Sequence, residues 1–261
     1  RAGTRCNNAG CAHNCAARAI PFSFLQSLFN DTPMSFLIGA RGKDFVVVIA
    51  DGYSLRVTAE DTSVERTDAP KIFKLGELPC VVAHHGQNEL GQVRVESVFK
   101  SDGFQRMHTR SWNRGLNVAM GRTIERLDSV VSQTLKSSKH RGIFGMWFAG
   151  FWPCSGMPEI TELVWSQRSA NAVRIAVQPF GNLVVGGSGL EYLREFFKKP
   201  VDEEYDAREL WNKPVEYSME LVKRLYAVAI KKQKAEGKMN FGGTRTMAVI
   251  TRDGVDLGPL D

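Results

Sequence analysis

No apolar stretch in this chain approaches the roughly 18 residues that a membrane-spanning helix needs, so no membrane association is expected. There is no paired C-x-x-C, no H-E-x-x-H, no phosphate-cradling loop of the Walker type and no dinucleotide fingerprint. Neither a metal nor an organic cofactor is expected. Cysteine is scarce beyond the first fifteen residues. Cys6, Cys11 and Cys15 crowd beside His13 without the spacing of a zinc half-site, and only Cys80 and Cys154 follow. Those two lie within apolar stretches and read as reduced core residues of a cytoplasmic protein. Strong single-sign charge is also missing. The formal net charge is +6, but residues 1–33 hold three arginines against one aspartate, and the remaining excess is interleaved with acids. That balance reads as solubility rather than as a nucleic-acid surface.

What is present divides in two. Residues 1–33 show no clear period, and their longest apolar piece, Ile20 to Phe29, is interrupted by Pro21, Ser23, Gln26 and Ser27. A signal peptide would have a continuous apolar region and a small-residue cleavage site. Residues 1–34 are therefore expected to be a leader outside the fold: a propeptide, a docking tail or, as the favoured reading, an upstream extension that is not natively translated. Met34 would then be an initiator. Methionine is readily removed before serine, which would leave Ser35 with a free α-amine. The folded domain is expected over residues 35–261.

From Ser35 the patterning is regular. Apolar runs at Ser35–Ala40 and Phe45–Asp51 flank a glycine-containing turn and read as a hairpin. Tyr53–Thr58, Lys71–Leu75 and Cys80–His84 read as further strands, with Asp61–Asp68 as a polar loop. Two helices are expected at Gln87–Lys100 and Ser111–Ser137, where apolar residues recur at helical spacing. Strands follow at Ile143–Phe151, Glu159–Trp165, Ala172–Val177 and Asn182–Gly186. Helices are then expected at Leu190–Lys198 and about Pro214–Ala235, and a closing hairpin around Asp253-Gly254. Runs of strands alternating with runs of helices predict an α+β fold, a four-layer αββα sandwich of two facing sheets with helices outside both.

Taken singly, the polar residues carry little. Asp51 ends a strand like a turn carboxylate, Lys71 could be solvated, Ser188 in Gly187-Ser188-Gly189 suits a helix N-cap, and His84-His85 could be packing. Together they resemble the proteasome β-type family, which includes the bacterial HslV protease. Ser35 stands where that family begins its mature chain with a nucleophile, usually threonine. Gly39, Lys43-Asp44, the run Val46 to Asp51, Lys71-Ile72-Phe73, Gly187-Ser188-Gly189, and Gly242-Gly243 through Ala248 to Gly254 follow in the family's order.

The resemblance implies an N-terminal-nucleophile hydrolase fold and peptide-bond hydrolysis inside a homo-oligomeric ring, fed with peptide or unfolded protein, with an ATP-driven unfoldase as a partner. A serine hydroxyl needs a base, and a free α-amine, with a pKa of about 8, can serve as one at neutral pH. Lys71, held by Asp51, would favour the ionised hydroxyl, and Ser188 would support the amine. The strand end at His84, His85 and Gly86 would contribute the oxyanion donor and the wall of the substrate pocket. The chain departs from the family before Gly242, where Lys238 and Phe241 replace an aspartate and a serine. Asn240 is the candidate to compensate. Two other readings keep the fold: a catalytically inactive ring scaffold, and an amidase acting on a small amide.

Overall fold

The structure is a computed structural model that describes residues 35–57, 62–137, 143–153, 155–166, 173–176, 182–198 and 209–260. The expected leader, the Cys6, Cys11, His13 and Cys15 group and Cys154 lie outside the described residues. The fold is mixed α/β, built on antiparallel sheets. Its strands are β1 (Phe36–Arg41), β2 (Val46–Ala50), β3 (Ser54–Val57), β4 (Thr62–Arg66), β5 (Ile72–Lys74), β6 (Cys80–Gly86), β7 (Glu89–Leu90), β8 (Val93–Arg94), β9 (Ile143–Phe151), β10 (Pro158–Ser166), β11 (Val173–Ala176), β12 (Leu183–Gly187), β13 (Arg245–Thr251) and β14 (Gly254–Leu260). Its helices are α1 (Val95–Lys100), α2 (Asp102–Ser111), α3 (Leu116–Ser137), α4 (Gly189–Lys198) and α5 (Val215–Ala235).

One sheet has the strand order β12-β1-β2-β13-β14 and the other β11-β10-β9-β6-β5. All neighbours in both are antiparallel. β2 is apolar at every position because both of its faces are covered. Val46, Val48 and Ala50 face a core shared with Val81, Ala83 and Trp147 of the other sheet, while Val47 and Ile49 pack toward Leu221, Leu225 and Tyr226 of α5. β6 repeats the arrangement: Val81 and Ala83 face the shared core, and Cys80 and Val82 face Phe99, Met120 and Leu127 of the α1–α3 layer. The period-2 alternation of each strand thus feeds two apolar layers at once. Glycine makes room where the sheets meet. Cβ atoms at Gly39 and Gly186 would lie 2.7 Å from Ile160 and Trp147 respectively, so the Trp147 ring fills the space they leave.

Three elements differ from the expectations. The first half of Gln87–Lys100 is a small hairpin, β7–β8, and only Val95–Lys100 is helical; Gly91, at φ +66°, turns the chain between the two short strands. The polar segment read as a loop contains β4, which pairs with β3 in a separate two-stranded sheet. Helix α2 lies where the sequence predicts no element; it is capped by Ser101, whose hydroxyl accepts the Phe104 N–H.

Candidate functional site

Ser35 directly precedes β1 and is 4% exposed. Its carbonyl oxygen accepts the Ser188 N–H at 3.2 Å, joining the start of β1 to the end of β12. Gly187 makes this approach feasible: its φ is +74°, and a Cβ there would lie 1.7 Å from the Ser35 oxygen. Ser188 also opens α4, its own carbonyl accepting the Glu191 N–H at 3.3 Å. The serine therefore occupies the strand-to-helix turn and touches the Ser35 main chain at the same time.

Asp51 follows β2 and is buried. Its Oδ1 accepts the Lys71 ammonium at 2.7 Å and the Phe36 N–H at 2.8 Å. Its Oδ2 accepts the Tyr53 N–H at 3.1 Å and the Gly242 N–H at 3.3 Å. Four donors from four segments thus converge on one carboxylate. Phe36 is the residue after Ser35, so the carboxylate anchors the candidate nucleophile's own strand. Both side chains of the Asp51–Lys71 pair are fully inaccessible. Burial pulls the Lys71 pKa below that of an ordinary lysine, and the Asp51 charge and hydrogen bond oppose that fall.

The two histidines diverge. Along β6, His84 points to the α1–α3 layer, where its ring lies 5.8–6.1 Å from those of Phe73, Phe99 and Phe144. Burial, helped by Lys71 and His85, pushes its pKa down to about 3, against a hydrogen bond to the Pro70 backbone. His85 points the other way, toward the space between the sheets, and its Nε2 is hydrogen-bonded to Oε1 of the buried Glu162 on β10. The ring crosses β9 above Gly145, where a Cβ would lie 2.0 Å from it. The two side chains therefore face different layers. Gly86 has φ +87° and sits against the Ile143 carbonyl, 2.0 Å from where its Cβ would be, which explains the glycine by strand packing.

The segment before Gly242 is held by Gln233, a buried side chain near the end of α5. Its Oε1 accepts the Asn240 and Phe241 N–H groups at 3.1 and 3.3 Å, and its Nε2 donates to the Phe241 carbonyl. Asn240 donates from Nδ2 to the Tyr192 hydroxyl at 3.3 Å. Phe241 is fully buried against Phe36, with ring centroids 4.7 Å apart, and against Tyr192. Lys238 turns to the surface, pairing with Glu236 at 2.8 Å and Glu191 at 3.7 Å.

Sequence reasoning singled out Asp51, Lys71, Ser35 and Ser188, and the structure brings these four together around the start of β1. It passed over Glu162, Gln233 and the main-chain donors of Tyr53 and Gly242. Glu162 had a signal: an acid between Ile160 and the apolar run Leu163–Trp165 sits at the alternate position of a buried strand and needs a partner. Among the described residues there is no cluster of three or more histidine, cysteine or acidic side chains that could hold a metal ion, and no helix is long and apolar enough to cross a membrane. A scan against protein-family models and a search of curated proteins each gave no match for this chain.

Proposed function

We propose that the chain is an N-terminal-nucleophile hydrolase of the αββα type, resembling proteasome β-type subunits, that hydrolyses peptide bonds with Ser35. The observation that carries this reading is the buried Asp51–Lys71 pair, locked by main-chain donors beside the candidate nucleophile. A buried ion pair is weak as a stability device. One that is wired to the main chain next to a buried serine suits the tuning of a proton transfer.

The chemistry requires the bond between Met34 and Ser35 to be cut, freeing the α-amine. The amine then takes the hydroxyl proton of Ser35, directly or through a water, as Oγ attacks the substrate carbonyl carbon. The tetrahedral intermediate collapses, the peptide C–N bond breaks, and the leaving amine takes the proton. Water hydrolyses the resulting ester and restores the hydroxyl. A Lys71 ammonium lowers the energy of developing negative charge on Oγ, and Asp51 aims it and opposes the fall in its pKa that burial causes. Assembly into a homo-oligomeric ring and feeding by an ATP-driven unfoldase belong to the same proposal, with peptide or unfolded protein as substrate.

One observation favours a second reading, a ring scaffold without catalysis. Phe241 buries an aromatic ring where the family carries a polar side chain, and Asn240 spends its amide on Tyr192. The test is turnover of a fluorogenic peptide panel, set beside small acyl-amides, by protein whose N-terminal residue is verified as Ser35. Peptide turnover that vanishes in Ser35→Ala supports the protease. Turnover of small amides alone indicates the amidase, and turnover of neither indicates the scaffold.

A further inference from the structure

Far from Ser35 in sequence, five arginines meet in one surface groove of about 630 Å³. Arg106 and Arg110 come from α2, Arg114 from the single 3-10 turn after it, and Arg122 and Arg126 from α3. All five are exposed. Glu125 is the one carboxylate lining the groove, and it pairs with Arg122 at 2.8 Å. Arg106 reaches Asp102 at 3.9 Å. Among the described residues, Arg110, Arg114 and Arg126 have no carboxylate within ion-pair distance. Arg126 folds back across α2, a terminal nitrogen lying 3.0 Å from where a Gly103 Cβ would be, which carries the charge of one helix onto the next.

We propose that this groove binds an oligophosphate anion. Guanidinium forks grip tetrahedral oxyanions bidentately, and a concave surface of one sign concentrates its field. Five like charges held together repel one another, and a compact multiply charged anion relieves that repulsion best. A linear phosphate chain carries a charge on each successive phosphorus. An extended peptide puts same-side carboxylates roughly 7 Å apart, since every second residue faces one way. Apart from the arginines and Glu125, the lining is Gly103, Met107 and Ser111, which offers no flat ring on which a base could stack.

The test is calorimetric titration of the full chain with inorganic tripolyphosphate at near-physiological salt. The expected result is saturable binding at one site, weakened at least about tenfold by raising the salt to 1 M. The variant carrying Arg110→Gln, Arg114→Gln and Arg126→Gln should lose roughly a hundredfold or more in affinity at an unchanged melting temperature. A Lys231→Gln, Lys234→Gln control on α5 should bind like the parent chain. ATP should bind no more tightly than tripolyphosphate. Unsaturable binding, equal affinity in the triple variant, ATP bound more than tenfold more tightly, or tighter binding of a glutamate-rich peptide would each overturn the proposal.

Discussion

Among the described residues two acid–base contacts are buried, and they are built differently. Asp51 and Lys71 are embedded in main chain: the carboxylate also serves the Phe36, Tyr53 and Gly242 amides, so three segments depend on it. His85 and Glu162 meet side chain to side chain across β9, with Gly145 giving the imidazole its room. Two buried polar pairs of similar burial can therefore have different reasons to exist. The account predicts that the second tolerates exchange for apolar groups of similar volume and that the first does not, because the amides it satisfies would remain.

The largest expected effects break the first pair. Asp51→Leu leaves a buried lysine without its partner and three N–H groups without an acceptor, and should destabilise by about 3–5 kcal/mol in denaturant unfolding. Lys71→Met should lower peptide turnover by roughly a hundredfold or more if Lys71 acts on Ser35. The double change Asp51→Leu, Lys71→Met should stay clearly destabilised. The matching change His85→Phe, Glu162→Leu should lie within about 1 kcal/mol of the parent chain, or above it. Equal losses in the two double variants would erase the distinction drawn here.

The next effect is pH-dependent and sits on the other face of β6. Burial holds the pKa of His84 at about 3 and of His108 at about 4, with Lys71 and His85 adding to the first and Arg126 to the second. An unfolded histidine titrates near 6.5. Between about pH 6.5 and 4 the unfolded chain therefore takes up protons that the folded chain refuses, and stability falls as pH falls, by roughly several kcal/mol at pH 4. Unfolding midpoints across that range should show the slope, and His84→Met or His108→Gln should flatten it. A slope unchanged in both variants would assign the acid sensitivity elsewhere.

Two smaller effects sharpen the comparison. Gly145→Ala drives a methyl into the His85 ring and should destabilise by about 1–3 kcal/mol, with most of the loss recovered when His85→Ala is added. Asn240→Ala removes one 3.3 Å hydrogen bond to Tyr192 and should destabilise by less than about 1 kcal/mol, with turnover reduced less than about tenfold. A larger fall in turnover would mean that Asn240 turns to the Ser35 amine during turnover.

How much of this was legible in the sequence follows the physics of each element. β1, β2 and the closing β13–β14 hairpin announce themselves because sheet strands covered on both faces must be apolar throughout or alternate around a clear turn. β4 was read as loop because it belongs to a two-stranded sheet and is written in polar residues, Thr-Ser-Val-Glu-Arg. The β7–β8 hairpin was read as helix because Leu90, Val93, Val95 and Val98 fit a helical spacing, while Gly91 gave the only contrary sign. Helix α2 went unassigned because only Phe104, His108 and Ser111 of it are buried, leaving no apolar stripe to see. At the site, Asp51 and Lys71 were legible through the order of motifs around them. The convergence of the Phe36, Tyr53 and Gly242 amides was not, because every residue but proline carries an N–H and its direction has no sequence signature. The arginine groove was missed for a related reason. A mild net charge hides a local cluster, although Arg106, Arg110 and Arg114, each four residues apart, were there to be counted.

The central claim is that Ser35, backed by the Asp51–Lys71 pair, is a nucleophile once its amine is free. Protein beginning at Ser35 is incubated with a reactive β-lactone or a peptide vinyl sulfone, and the adduct is located by peptide mass spectrometry. The account predicts one covalent adduct, placed on Ser35, lost in Ser35→Ala and formed far more slowly in Lys71→Met. An unmodified Ser35 in folded protein of verified N-terminus would contradict it.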